Sequence, residues 1–262
     1  MWGKVTFWLR LGAVVFVALV GIGAFMRQAG YVSFHPVFES WVWGVGLVVL
    51  AVDNAGTLAV RGVHAQRLKR EKDIESALMS MLIILAKSKK LRFEELGASV
   101  YVPKRRRDWS NGKAHRHLKR IHRFRPAGFP PKSGIAWHSG AGTVGDCWRD
   151  KKTTYWDGTA IARSYPSEKL ANLTDESFNK ISTRTRQGFS LEQFRNVTGK
   201  YCEIIASPIW DESKDRTLLA VLTVDRALTE GDDNRMLHLN SAMTRETVQS
   251  VCRVIGTQWR QS

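Results

Sequence analysis

The 262-residue sequence predicts an α+β chain in two parts: an N-terminal transmembrane helical hairpin, then a domain with a central antiparallel sheet and flanking helices. Three observations carry that expectation. Leu11 to Met26 is a run of sixteen residues without charge, and a second apolar run from Trp41 to Val60 is broken only by Asp53 and Asn54. Further on, Ile204–Ile209 and Leu218–Val224 are apolar segments flanking the polar turn D-E-S-K-D-R, which is a hairpin pattern. Amphipathic stretches at helical spacing lie before and after that pair.

In chain order, the first apolar run reaches about spanning length once Phe7, Trp8 and Leu9 are included. A secretory signal would need a small-residue cleavage site, and the flank A-F-M-R-Q-A-G offers a poor one. Pro36 marks the start of the second helix. The connection holds one basic residue, Arg27, whereas Arg61, Arg67, Lys69, Arg70 and Lys72 follow the second run and Lys4 precedes the first. The positive-inside rule then places both termini on the cytoplasmic side of the cell (inner) membrane, with Trp2, Trp8, Trp41 and Trp43 near the interfaces. Arg10 and Asp53 are the intramembrane charges. They either snorkel to the interface or meet across the hairpin along an ion path.

The expected division is 1–60 for the two spans, 61–92 for a juxtamembrane helix, and 93–262 for the cytosolic domain. Ile74, Leu78, Met81 and Leu85 make a heptad-like stripe. A last helix from about Arg235 to Trp259 carries Leu239, Met243, Val248, Val251, Cys252, Ile255 and Trp259 roughly on one face. These two helices suit either a core within one subunit or a seam in a homo-oligomer.

Ser99–Val102 reads as a strand, and Asn111-Gly112 as a hairpin turn. The return segment is ambiguous, because Leu118, Ile121 and Phe124 recur every three residues, which suits a helix better. Lys104 to Arg125 holds ten Lys and Arg against one acid, Asp108, within a chain of formal charge +16. Lys104, Arg105, Arg106, Arg107, Arg116, Lys119, Arg120 and Arg123 are candidates for contact with anionic lipid head groups or another anion. Nucleic acid is disfavoured, since no helix-turn-helix, zinc-finger or RNA-binding signature accompanies the charge. His115, His117 and His122 show no metal-ligand spacing. Cys147, Cys202 and Cys252 form neither a metal pattern nor an even framework, which fits a reducing compartment.

The segment from Ser139 to Asp157 places Gly140, Gly142 and Gly145 ahead of a short amphipathic piece and a strand starting near Thr153. One or two short helices are expected between Ser164 and Lys200. There, Thr174 followed by Ser177 is too weak a pattern to read as a capping box.

This ordered set resembles the GAF domain over about residues 75 to 260. Gly140, Gly142 and Gly145 match its G-x-G-x-x-G turn, and Asp157 ends the next strand. Pro208-Ile209 matches its x-x-P-I strand, and Val221, Leu222 and Asp225 its G-V-L-x-L-D strand, with Ala220 replacing the glycine. The resemblance implies a pocket between the sheet and residues 164–200. Trp148, Tyr155, Trp156, Phe178, Phe189, Phe194 and Tyr201 could line it. The expected ligand-binding set is Gly140, Gly142, Trp148, Tyr155, Phe178, Phe194 and Tyr201.

Asn179-Lys180 is half of the family's cyclic-nucleotide signature, and the Phe-x-x-x-Asp-Glu half does not follow. The methionine sulfoxide reductases of the family carry a thiolate inside the glycine turn, where Val144 stands here, so that nucleophile is missing. The expectation is therefore a sensor without catalytic residues, metal or cofactor, binding a small anionic ligand and signalling through helix pairing. The alternative is a defence-type membrane effector whose domain controls a depolarising hairpin.

Overall fold

A computed structural model describes residues 2–31, 36–107, 114–135, 137–211, 217–229 and 238–260. The expected turn at Asn111-Gly112 and most of the D-E-S-K-D-R turn lie outside the described residues. So do the side chains of Arg10, Asp53, Arg106, Arg107 and His115. The chain divides into two compact units, residues 1–68 and 69–262.

Unit 1 contains α1 (Trp2–Gln28) and the first part of α2 (Pro36–Lys89). The second apolar run and the juxtamembrane stripe belong to one uninterrupted helix, because no proline follows Pro36 before Pro103 and the glycines nearest residue 60, Gly56 and Gly62, are isolated. Among the described residues, no helix is long and apolar enough to cross a membrane. Most side chains of the two apolar runs lie outside the described residues, so the two-span reading stands on the sequence.

In unit 2, a 3₁₀ turn (Phe93–Glu95) leads into β1 (Leu96–Arg107) and β2 (Ala114–Phe124). Next come α3 (Gly142–Asp150), β3 (Thr154–Asp157) and α4 (Thr159–Ser164). Four more short helices follow: α5 (Ser167–Ala171), α6 (Asp175–Asn179), α7 (Thr183–Arg186) and α8 (Leu191–Val197). β4 (Tyr201–Asp211), β5 (Thr217–Ala227) and α9 (Ala242–Arg260) complete the order. The five strands form one antiparallel sheet, β2-β1-β5-β4-β3.

Strand alternation gives the sheet two apolar faces. Val100, Ile205, Ile209, Leu222 and Val224 face a layer that includes Ile74, Leu78, Met81 and Leu85 of α2 with Val248, Cys252 and Ile255 of α9. The heptad-like stripe is therefore consumed inside one subunit: all four of its residues are 0% exposed. Leu239 joins this core from the turn before α9, not from a helix starting near Arg235. The other face, with Tyr101, Ala206 and Val221, takes Val144 and Cys147 of α3. A separate cluster of Leu170, Leu173, Phe178, Ile181, Phe189 and Phe194 knits α5–α8 together.

The period-three pattern after residue 114 is a strand carrying a bulge. Val100 pairs with His122 and Tyr101 with Arg120, so Ile121 is the extra residue. Leu118 consequently packs on the α3 face while Phe124 packs on the opposite, α2 and α9 face. A regular strand would put both on one side. The segment over residues 164–200 holds four helices where one or two were expected, because the chain supplies more caps than its apolar pattern suggests. The Thr174–Ser177 pair does form a reciprocal capping box, and Ser190–Gln193 forms a second.

Candidate functional site

The glycine turn brings the site together. Gly140 (φ +80°) and Gly188 (φ +67°) are both left-handed, and a Cβ on Gly188 would overlap the Gly140 carbonyl oxygen. Only backbone without a side chain allows that approach, which a Gly142 N–H to Gln187 carbonyl bond of 2.8 Å secures. Gly145 is closed in the same way, since a Cβ there would overlap the His138 carbonyl oxygen. The α3 helix is thereby pressed onto its own leading turn.

Beside this turn opens a cleft of about 840 Å³ between α3, β3, α4 and α7. Its polar wall comes from Asp146, Arg149, Asp157, Thr183, Arg184 and Thr185, and its apolar wall includes Trp156 and Ile161. Asp146 and Arg149 sit one helical turn apart and pair at 2.8 Å, and Arg149 also holds Asp150 at 2.8 Å. Partial burial pushes the Asp146 carboxyl above its usual range, with the Arg149 guanidinium pulling the other way. Asp157 accepts from the Thr159 N–H at 2.9 Å and from the Thr159 hydroxyl, which fixes the start of α4.

Of the expected ligand-binding set, Gly140 and Tyr155 line the cleft, and Trp156 of the wider aromatic group does so too. Gly142 lies behind it, with Phe189 and Trp137 so close that a Cβ would come within 2.6 Å of the Phe189 ring. Phe178 and Phe194 meet at a tilt with ring centroids 5.6 Å apart inside the α5–α8 cluster, and Tyr201 packs against that cluster. Trp148 packs against the α3 face of the sheet. Asp146, Arg149, Arg184 and Thr183 were not anticipated. The i, i+3 spacing of Asp146 and Arg149 on a helix just after the glycines was a usable signal. The approach of α7 to that helix was not, because it depends on folding over some forty residues.

Behind the cleft wall, the Tyr155 hydroxyl donates to Glu203 Oε2 at 3.1 Å. Glu203 is 0% exposed. It also accepts from Arg226 Nε at 3.1 Å and from the backbone N–H groups of His238 (3.1 Å) and Leu239 (2.8 Å). Arg226 Nη1 reaches Glu95, after the end of α2, at 3.6 Å. A second buried pair, Arg125 with Asp225, lies on the other face. The Arg125 guanidinium occupies the space a side chain on Gly97 would need. Asp225, matched above to a family motif, thus holds β5 to the end of the β1–β2 hairpin.

Cys147 sits in α3 with 0% exposure, outside the glycine turn, and burial pushes its thiol far up. Among the described residues, no group of three or more His, Cys, Asp or Glu is placed to hold a metal ion.

No protein-family model and no curated protein matches the sequence. Among solved structures, the chain is similar to a type II free methionine-R-sulfoxide reductase from Thermoplasma acidophilum. Identity is 9% and TM-score 0.39 over 73% of this chain and 96% of that one. It is also similar to a protein described as a GAF sensor from Burkholderia vietnamiensis (14% identity, TM-score 0.35, 75% and 96% covered). A third is the transcriptional regulator YaiJ, at 11% identity and TM-score 0.36 over 71% and 94%.

Proposed function

We propose that this chain is a membrane-anchored sensor whose GAF-like domain binds a small polar ligand at the glycine turn. The observation that carries the reading is the cleft of about 840 Å³, in which Arg184, Thr183 and Thr185 face Trp156 and Asp157. That is the mixture of a few polar anchors and an apolar wall that small-molecule sites use. Arg149 is already held by two carboxylates, so Arg184 is the anchor for an anionic group of the ligand. Tyr155, Glu203 and the N–H groups before α9 form a continuous route by which a filled cleft biases the helical layer. Since the α2 stripe is buried in the core, pairing with a second copy would use other residues of α2 and α9, such as the exposed Met79, Ile84 and Val254.

Anchoring rests on the uncharged run Leu11–Met26 and the apolar run Trp41–Val60. Resistance of the full chain to alkaline extraction from membranes tests it, and release into the soluble fraction would refute it. Isothermal titration of the full chain in detergent against a panel of nucleotides, amino acids and organic acids tests the cleft. At least one compound should bind, and Arg184→Ala should weaken it about tenfold or more. Binding by none of them would refute the sensor reading.

A further inference from the structure

We propose that the β1–β2 ribbon is an electrostatic docking element for an anionic lipid surface. β1 pairs with β5 only as far as Tyr101, but with β2 on to Arg107. Beyond Tyr101 it is a two-stranded ribbon.

In that ribbon Arg105 lies directly opposite Arg116, and Lys104 opposite His117. Opposed residues share a face. Arg105 and Arg116, with Arg120 four pairs further along, therefore charge one face, while Lys104 and Lys119 charge the other. Lys104, Arg105, Arg116 and Lys119 are exposed. Among the described residues, none of these four has a carboxylate within ion-pair distance. Directly opposed like charges destabilise a hairpin. With no counter-charge for the Arg105–Arg116 pair among the described residues, the compensation falls to an external anion.

The distribution selects a surface over a strand of nucleic acid. No helix-turn-helix, zinc-finger or RNA-binding signature accompanies the charge. Cations on both faces of the ribbon suit a sheet of phosphates approached edge-on, where each basic residue improves partitioning about fivefold. The choice of a bilayer gains from the anchoring reading above, because a tethered chain presents the ribbon at high local concentration.

The test uses the full chain with Lys119→Cys carrying an environment-sensitive dye, since Cys147, Cys202 and Cys252 are buried. It is reconstituted in vesicles bearing a headgroup quencher, either pure phosphatidylcholine or with phosphatidylglycerol. Quenching should appear only with the anionic lipid. It should vanish at about 1 M salt, where the Debye length is about 3 Å, and fall at least tenfold in the variant Lys104→Glu/Arg105→Glu/Arg116→Glu. Equal quenching on neutral vesicles, quenching that survives salt, or tighter binding of the full chain to duplex DNA than to anionic vesicles at equal salt would each overturn the proposal. Anchoring is read separately, by alkaline extraction from the neutral vesicles. If anchoring fails while salt-sensitive binding to anionic vesicles persists, the ribbon assignment holds without the tether.

Discussion

Replacing Glu203 by Gln perturbs the point where β4, β5, β3 and the approach to α9 meet. The carboxylate is 0% exposed and accepts four hydrogen bonds, two on each oxygen. Glutamine keeps the shape but offers one acceptor oxygen, so its NH₂ must face two donors whichever way it turns. If it faces Oε1's partners, the opposed donors are Arg226 Nε and the His238 N–H. If it faces Oε2's, they are the Leu239 N–H and a Tyr155 hydroxyl that can rotate to accept. The second orientation is the cheaper one. Arg226 then retains Glu95 at 3.6 Å as its charged partner.

Removing one partner of a buried pair costs about 3–5 kcal/mol, and the retained oxygen sets the expectation at the lower end, about 3 kcal/mol. A domain of this size loses about 2–4 °C in Tm per kcal/mol, so thermal unfolding of the full chain should shift down by roughly 6–12 °C. The cost is a large part of a typical stability of about 5–15 kcal/mol. In a double-mutant cycle with Arg226→Met, the second substitution should cost less once the first is present. A shift under about 2 °C, or strict additivity with Arg226→Met, would show that the carboxylate does not hold this junction.

Gly145→Ala should destabilise the full chain by about 1–3 kcal/mol in chemical denaturation, because its Cβ overlaps the His138 carbonyl and α3 must lift off the turn. The native protein should leave Cys147, Cys202 and Cys252 unlabelled by a thiol reagent at neutral pH and expose all three on unfolding; burial pushes the Cys252 thiol to about 12. Burial lowers the His122 pKa, with Arg70 adding to it and Glu71 and Glu75 opposing it. The folded state therefore favours neutral His122, and its contribution is fully present above about pH 6.5 and lost as pH falls below that value. His122→Gln should flatten the stability profile in that window, measured by denaturant midpoints.

Two strands of the sheet, β4 and β5, and the two helices on one of its faces were legible in the residue order. The apolar runs Ile204–Ile209 and Leu218–Val224 on either side of a polar turn read as paired strands, and the stripe Ile74, Leu78, Met81, Leu85 has one buried side. The glycines also announced a close approach, since a residue without a side chain lets the backbone turn tightly and come near other backbone. Tertiary structure alone decided three things. One residue of slip at Ile121 reversed the faces of Leu118 and Phe124, and a bulge has no period of its own. Phe178 and Phe194 went into a helical cluster because four capped turns packed on one another, making core of side chains that composition alone would assign to a pocket. The cleft was set by α7 folding back against α3, which placed Arg184 near Asp146 across almost forty residues. Local patterns fix which side of an element is buried, but a site assembled from distant turns exists only once the chain has closed on itself.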